Sequence, residues 1–280
     1  MDTIERISFK GGKFNEDFTA STKNAAWVLD GATGLDKNNY VHKQSDAIWF
    51  VQRWQKYLSE NIDNFEIKLT EVLHQGIQQV KVDYLSLCGD QDIPPISLPS
   101  ATIAICRENG DVIEYVVLGD SIMLALDKEG KTHVFQDTAL GQLDKIAIDC
   151  MFERRLSSPT MSIEESKSSC MDILVKNRLS QNTPEGYWNL GFDSSAPFHA
   201  LSGTIPKSEY QSIFLATDGL ANAFVEYDLI TVNEVFDILL NRNLLDLYRI
   251  LRRAEKEDPR GITLPRLKVH DDATGIFMRI

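Results

Sequence analysis

The sequence predicts an α+β fold with antiparallel sheet in the middle and helices outside. Short apolar runs typical of strands are separated by glycine-containing turns, and longer segments show the apolar spacing of helices. Strands and helices come in blocks rather than in strict alternation, which favours this class. No segment is as rich in Pro, Gly or Ser as a linker, so we expect a single domain over residues 1–280.

The N-terminal third is expected to place strands before two helices. A brief alternation at residues 4–9 is followed by a buried strand pattern at residues 25–29, which Asp30-Gly31 ends. Apolar residues at helical spacing then predict helices over residues 42–60 and 65–87. These helices are expected to cover one face of the sheet, and a loop with three prolines follows them.

The rest of the chain is expected to form an antiparallel meander, then helices and two late strands. The meander consists of strand-like runs at residues 101–106, 112–118, 122–126 and 133–135. Helices are predicted at residues 144–156, 163–179, 231–241 and 244–256, and strands at residues 212–216 and 274–280. Between them, residues 182–190 interrupt the helical pattern.

The composition limits the expected partners. A formal net charge of -12 argues against nucleic acid and against anionic membranes. An apolar fraction of 43% suffices for a sizeable core. The N-terminus lacks the basic and apolar segments of a signal peptide, and no run approaches the roughly 18 apolar residues of a membrane span. We therefore expect a cytoplasmic protein.

The four cysteines are interpreted as reduced thiols. Cys88, Cys106, Cys150 and Cys170 are too widely spaced for any CxxC pair, and Cys106 lies in an apolar run. None of them is a candidate nucleophile or zinc ligand.

Four short acidic clusters lie where strand-like runs begin or end. They are Asn15-Glu16-Asp17, Asp30-Gly31, Thr217-Asp218-Gly219 and Asp271-Asp272. Carboxylates gathered at strand ends would raise one another's pKa unless a cation were bound among them, and oxygen ligands favour Mg or Mn over zinc. The clusters therefore suggest one divalent-metal site. The alternative is that they never meet and that each aspartate caps a helix or forms an Asx turn.

Six motifs occur in order along nearly the whole chain. They are Asn15-Glu16-Asp17, Asp30-Gly31, Ser100-Ala101-Thr102, Gly119-Asp120-Ser121, Thr217-Asp218-Gly219 and Asp271-Asp272-Ala273-Thr274. Each is weak alone, but together they resemble the motifs of the metal-dependent protein phosphatases of type 2C. The resemblance implies a central sandwich of two antiparallel β-sheets flanked by helices on both sides, with two Mg or Mn ions at one edge.

The resemblance also implies which residues hold the two ions. Glu16, Asp30 and the carbonyl of Gly31 would hold one metal, and Asp30 would bridge to the second. Asp218 and Asp271 would complete the second metal.

Further roles follow from the same resemblance. Asp17 resembles an acid that orients waters and ligands from outside the metal ligands, and with Asp30 and Asp218 it completes the expected catalytic set. Asp120 resembles the residue that, with Asp218, recruits a loosely held third ion. The Tyr187-Trp188 segment lies where the family often carries a variable flap beside the site.

Two such ions are expected to support direct hydrolysis. Divalent ions about 4 Å apart lower the pKa of a bridging water and position the resulting hydroxide for in-line attack on phosphorus. They also offset charge on the phosphoryl oxygens, so no Cys or Ser nucleophile is required. In agreement, the sequence has no Gly-x-Ser-x-Gly elbow, Walker loop or HExxH motif.

One departure from the family pattern concerns the phosphate clamp. Many members carry an arginine four residues before the motif glutamate, and Gly12 stands there in this chain. Lys13 or Lys10 could bind substrate phosphate instead as a point charge. Both are equally well interpreted as solvated residues at a strand end.

A second departure concerns the leaving group. Many eukaryotic members have a histidine after the Asp-Gly motif that protonates the leaving group, whereas this chain has Ala32-Thr33-Gly34. Bacterial members often lack this histidine too, so its absence does not imply inactivity. Among the histidines of the chain, His270 alone borders a motif, next to Asp271.

The expected function is hydrolysis of phosphoserine and phosphothreonine in phosphorylated protein substrates. All metal-ligand positions hold acids, which a chain without catalysis would have no chemical need to retain. Two alternatives stay open: a regulatory or binding protein that keeps the fold but hydrolyses nothing, and a phosphatase of a small phosphorylated metabolite. A deep closed pocket would favour the metabolite, and an open groove would favour protein substrates.

Overall fold

Two antiparallel five-stranded sheets form the centre of the computed structural model, in which residues 1–36 and 38–280 are described. The strands in these residues are β1 (Asp2–Phe9), β2 (Asp17–Ser21), β3 (Ala25–Ala32), β4 (Ser100–Asn109), β5 (Val112–Leu118), β6 (Ile122–Asp127), β7 (Thr132–Gln136), β8 (Leu201–Pro206), β9 (Tyr210–Ala216) and β10 (Ala273–Arg279). Sheet A has the order β1-β10-β9-β6-β7, and sheet B has the order β2-β3-β4-β5-β8. The predicted pair of antiparallel sheets is confirmed.

Helices lie outside both sheets, as predicted. The α-helices of the described residues are α1 (Asp46–Asn61), α2 (Leu69–Cys88), α3 (Ala139–Ser157), α4 (Ile163–Ser169), α5 (Met171–Leu179), α6 (Asp218–Val225), α7 (Val232–Asn241) and α8 (Leu244–Glu257). Helices α1 and α2 bury apolar side chains against sheet B, and α6, α7 and α8 do so against sheet A. Within the described residues, no helix combines the length and the apolar character needed to cross a membrane.

The space between the sheets is a third apolar layer. Val28 and Val117 of sheet B pack there with Met123, Leu215 and Ile276 of sheet A. Because each sheet is covered by helices on one face and by the other sheet on the opposite face, its central strands are buried on both sides. This explains why their sequences are almost continuously apolar rather than alternating.

Strand β8 was not predicted, and α3 begins five residues before the predicted helical start at residue 144. β8 is an edge strand in which Ile205 alone is buried, so its sequence carries almost no apolar signal. Its Gly203 lies opposite Tyr115 of β5, and a Cβ atom at this glycine would stand 2.8 Å from the tyrosine hydroxyl. The strand is therefore recognised by its pairing with β5 and not by its own composition.

The prediction of four reduced thiols is wrong for one pair of cysteines. Cys150 of α3 forms a disulfide bond with Cys170, which lies between α4 and α5, whereas Cys88 and Cys106 are free and buried. The bonded residues are 20 positions apart, and their Cα atoms are 6.6 Å apart. Packing of α3 against α4 brings them together, and spacing along the sequence cannot reveal such packing.

Reduction of the Cys150–Cys170 bond should destabilise the helical segment α3–α5. Opening a loop of this length removes about 3 kcal/mol of stabilisation in the chain-entropy account. Urea unfolding with and without reductant measures the difference, and peptide mapping without reduction detects the linked peptides. A variant with both cysteines changed to alanine is the control, because reductant should not affect it. Equal midpoints for the wild-type protein in both conditions would contradict the bond.

Candidate metal centre

The acidic clusters from both ends of the chain meet at one end of the sandwich. Asp17 opens β2 and lies opposite Asp30, near the end of β3. Asp218 begins α6 directly after β9, and Asp271 lies just before β10. Because β9 and β10 are antiparallel neighbours, the end of one strand meets the start of the other. The reading in which the clusters form separate, unrelated turns is therefore wrong.

Asp17 links the two sheets beneath this cluster. Its side chain is buried, and Oδ2 accepts a hydrogen bond of 2.8 Å from the hydroxyl of Thr217, at the end of β9. Its other oxygen, Oδ1, is buried without a hydrogen-bond partner among the described residues. Burial and the charge of Asp272 raise the pKa of Asp17 well above its usual value. Such a carboxyl group is expected to need a compensating cation when ionised.

Asp30 and Asp218 affect each other's ionisation. Burial together with the charges of Asp17 and Asp218 raises the pKa of Asp30 well above its usual value. Burial and Asp271 likewise raise the pKa of Asp218. Carboxyl groups gathered in this way must take up protons or bind a cation among them.

Asp120 lies in the turn between β5 and β6 and faces the same cluster. Loss of solvent and the charges of Asp218 and Asp144 raise its pKa well above the usual value. Its Oδ1 atom is buried and has no hydrogen-bond partner among the described residues. Together with Asp218 it lines a depression of about 380 Å³ that is not enclosed.

Asp144 is a member of the cluster that the sequence analysis missed. It lies on α3 and lines the same depression, where burial and the charge of Asp218 raise its pKa to about 6. The sequence predicts only a helix from residue 144, because nothing in the local pattern distinguishes this aspartate from the exposed Asp149. Only the packing of α3 over the end of the sandwich places Asp144 beside Asp218.

The Tyr187-Trp188 segment lies beside the cluster. Burial raises the pKa of Tyr187 to about 12, and Asp144 and Asp120 face this side chain. The ring of Trp188 stacks on that of His199, with 3.7 Å between the ring centroids. The segment is thus packed against the protein.

The adjacent Asp271 and Asp272 have different tasks. Asp271 Oδ1 accepts a hydrogen bond of 2.6 Å from the ammonium of Lys268. Burial alone would raise the pKa of Asp271, but Lys268 outweighs burial and lowers it. Asp272 accepts hydrogen bonds of 2.7 Å from the backbone amides of Gly11 and Glu16. It therefore fixes the start of the chain to the start of β10.

The carboxylate of Glu16 is held by two hydroxyl groups. Its Oε1 accepts a hydrogen bond of 2.7 Å from the hydroxyl of Thr33, and the hydroxyl of Ser45 donates to the same atom. The backbone of Glu16 lies close by, because its carbonyl accepts a 3.1 Å hydrogen bond from the amide of Gly31. A Cβ atom on Gly31 would approach this carbonyl to 2.6 Å, so the close contact requires glycine.

The basic residues singled out from the sequence lie outside these contacts. Lys10 and Lys13 are exposed, and the ammonium of Lys13 lies 4.8 Å from the centre of the Phe14 ring. The Nδ1 atom of His270 lies 2.8 Å from Glu255, which also pairs with Arg252. His270 is thus held in a structural ion-pair network.

The donor set fits a hard divalent cation, although the side chains as they stand do not enclose one. In the described part of the chain, no three Asp, Glu, His or Cys side chains surround a common point closely enough to hold an ion. The Lys268–Asp271 ion pair uses a carboxylate that an ion would need. The side-chain donors of the cluster are carboxylate oxygens, which suit Mg or Mn, and those of Asp17 and Asp120 include atoms without partners among the described residues.

A scan against known protein families matches residues 8–252 to protein phosphatase 2C. The chain belongs to the protein phosphatase 2C family. By enzyme class it is therefore a metal-dependent phosphatase. The match includes the clusters at Asp17, Asp30, Asp120 and Asp218, and it ends before Asp271.

Solved structures of bacterial phosphatases of this type are similar throughout the chain. The serine/threonine phosphatase PstP/Ppp of Mycobacterium tuberculosis has a TM-score of 0.56 at 14% identity, covering 98% of this chain and 96% of that chain. The S. agalactiae serine/threonine phosphatase has a TM-score of 0.54 at 14% identity, covering 99% and 98%. The catalytic domain of PstP in complex with two manganese ions has a TM-score of 0.53 at 13% identity, covering 99% and 97%. At these identities the likeness shows the fold alone, and no curated protein sequence matches this chain significantly.

The raised pKa of Asp144 predicts a pH-dependent effect of Asp144→Asn in chelator. The folded protein holds this carboxyl group at a pKa of about 6, above the ordinary 3.8, so its ionisation destabilises the fold progressively as pH rises through this window. The variant should raise the free energy of unfolding at pH 7 by up to about 3 kcal/mol, with a much smaller effect near about pH 4.

Urea unfolding at the two pH values tests this expectation. Asp149→Asn, on the same helix but exposed and paired with Lys145, is the matched control and should change stability little at either pH. Equal effects of Asp144→Asn at both pH values would contradict the placement of Asp144.

Proposed function

We propose that this protein hydrolyses phosphoserine and phosphothreonine in protein substrates at a centre of two Mn or Mg ions. One observation carries the proposal: aspartates that are distant in the sequence gather at one end of the sandwich, where Asp17 lies opposite Asp30 and the charge of Asp218 raises the pKa of Asp30. Among side chains that are ionised near neutral pH, such crowding calls for a bound cation. A similar structure with two manganese ions, that of PstP, supports the choice of metal.

The proposed ligand assignment uses the acids of the family motifs. Asp30 would lie between the two ions, Glu16 and the carbonyl of Gly31 would complete one of them, and Asp218 and Asp271 would complete the other. For this, the carboxylate of Glu16 must leave the hydroxyls of Thr33 and Ser45 that hold it. The backbone of Glu16 is already fixed next to Gly31, so its side chain alone has to move.

Two more acids are assigned supporting roles. Asp17 is buried and held by Thr217, so it is suited to accept a hydrogen bond from a water at the site through its free oxygen. Asp120, whose Oδ1 atom is also without a partner, would hold a third and weaker ion with Asp218. Both residues lie on strand ends and turns fixed by the sheets, which keeps their positions constant during turnover.

The bound ions would supply positive charge for the phosphoryl oxygens and lower the pKa of water so that hydroxide attacks phosphorus. The residues of the chain hold the acids in place and exclude other nucleophiles: Cys88 and Cys106 are buried, and Cys150 and Cys170 are bonded. Protein substrates are proposed because the depression is not a closed pocket. A closed pocket would instead favour a small metabolite as the substrate.

Changing Asp218 to Asn should reduce hydrolysis below about 1% of wild type, because the amide cannot replace a charged metal ligand. The fold should be retained, since the change removes repulsion and no apolar contact. The measurement is Mn-dependent release of phosphate from a phosphothreonine peptide and from an aryl phosphate, with chelator as the blank. Asp237→Asn, exposed on α7, is the matched control. Wild-type turnover by Asp218→Asn would rule out the assignment.

Changing Lys13 to Ala tests whether an exposed lysine replaces the missing phosphate clamp. If Lys13 contacts the phosphate, KM should rise by about fivefold with kcat nearly unchanged. Steady-state kinetics on the phosphothreonine peptide provide both constants, and Lys128→Ala in the exposed β6–β7 turn is the control. An unchanged KM would show that Lys13 is a solvated surface residue that does not contact the phosphate.

A further inference from the structure

Lys268 places a positive charge inside the acidic cluster, a feature that the sequence motifs do not include. Its ammonium lies 2.6 Å from Asp271 Oδ1 and lines the depression with Asp120, Asp144 and Asp218. Among the described residues, it forms the one lysine or arginine salt bridge to these aspartates. The cluster is thus partly neutralised by the chain itself.

The backbone that carries Lys268 is firmly held. The buried guanidinium of Arg266 donates to the carbonyl oxygens of Val269 at 3.0 Å, Leu264 at 2.8 Å and Asp258 at 2.6 Å. These bonds fix the loop on both sides of Lys268. The backbone of Lys268 therefore has a defined position at the edge of the depression, while its side chain remains 48% exposed.

The ion pair with Asp271 favours the ammonium form of Lys268. The ammonium and the carboxylate oxygen are 2.6 Å apart, and an opposite charge at this distance stabilises the charged lysine. Lys145 also lines the depression but pairs with Asp149, and among the described residues Lys167 forms no salt bridge with Asp271 or Asp144. Direct contact with Asp271 therefore distinguishes Lys268 from these other lysines.

The carboxylate held by Lys268 is one that the proposed function needs. Asp271 is assigned there as a metal ligand, and an ammonium hydrogen-bonded to Oδ1 repels a divalent cation approaching the same carboxylate. The ion pair therefore opposes metal binding at Asp271. The flexible, half-exposed stem of Lys268 allows the ammonium to move into solvent without disturbing the loop that Arg266 holds.

We propose that Lys268 is a tethered counter-ion that occupies Asp271 in the metal-free protein and is displaced when the metal binds. This inference rests on the proposed metal centre. Lys268 stabilises the metal-free fold by offsetting the charge of Asp271, and it lowers the affinity of the centre for metal, since binding must first break the ion pair. The negative charge of the cluster is thus compensated in both states, by the Lys268 ammonium without metal and by the metal ion when it is bound.

Calorimetric titration of chelator-stripped protein with Mn tests the inference without reference to turnover. Lys268→Met, which keeps the length of the side chain and removes its charge, should bind Mn about tenfold more tightly than wild type. Lys268→Arg, which keeps the charge, should bind with nearly wild-type affinity. Lys145→Met is the control for net charge, because Lys145 lines the same depression but pairs with Asp149.

Thermal unfolding and amine labelling give two further readouts. Lys268→Met should be less stable than wild type in chelator, and its gain in Tm on adding Mn should be larger. In the wild-type protein, reductive methylation followed by mass spectrometry should modify Lys268 faster with Mn than with chelator, whereas Lys145 should react equally in both.

The outcomes separate this inference from the proposed function. Equal Mn affinities for wild type and Lys268→Met would overturn the role of Lys268 and leave the proposed phosphatase centre unaffected. The same conclusion would follow if Lys145→Met increased the Mn affinity as much as Lys268→Met does. Mn binding by neither wild type nor Lys268→Met would overturn both. Tight Mn binding without hydrolysis would overturn the proposed function alone.

Discussion

Repulsion among carboxylates at one end of the sandwich is the constraint on which the site depends. The charge of Asp218 raises the pKa of Asp30, and Asp17 is buried with one oxygen that has no partner among the described residues. No isolated segment would adopt such an arrangement, because hydration stabilises each carboxylate more than contact with other carboxylates does. The apolar layers on both sides of each sheet supply the stabilisation that holds these groups together. The fold thus places excess negative charge at the centre, and a bound cation would compensate for it.

The position of one sheet relative to the other sets the geometry of the centre. Asp17 and Asp30 belong to sheet B, whereas Asp218 and Asp271 adjoin strands of sheet A. The hydrogen bond from Thr217 to Asp17 crosses between the sheets at this end. Any change in the inter-sheet packing would therefore alter the distances among the acids.

The helical segment α3–α5 and the loop before β10 add further charged side chains to the acidic cluster. α3 brings Asp144 to the depression, and the loop brings Lys268 to Asp271. One adds an acid and the other adds a base, so they act in opposite directions on the charge of the centre. The Cys150–Cys170 bond links α3, which carries Asp144, to the junction of α4 and α5.

The sequence by itself determined the class of fold and four of the acidic clusters. Strand runs buried on both faces are strongly apolar, and Asp30 and Asp218 stand in short motifs whose order along the chain is informative. Only the tertiary structure decided which groups surround these acids. Asp144, Lys268 and the disulfide come from segments whose local patterns are those of ordinary surface helices and loops, and β8 is recognised only through its partner strand. Local patterns report burial and turn chemistry, whereas a contact between distant side chains depends on how whole layers pack, and no short stretch of sequence encodes that.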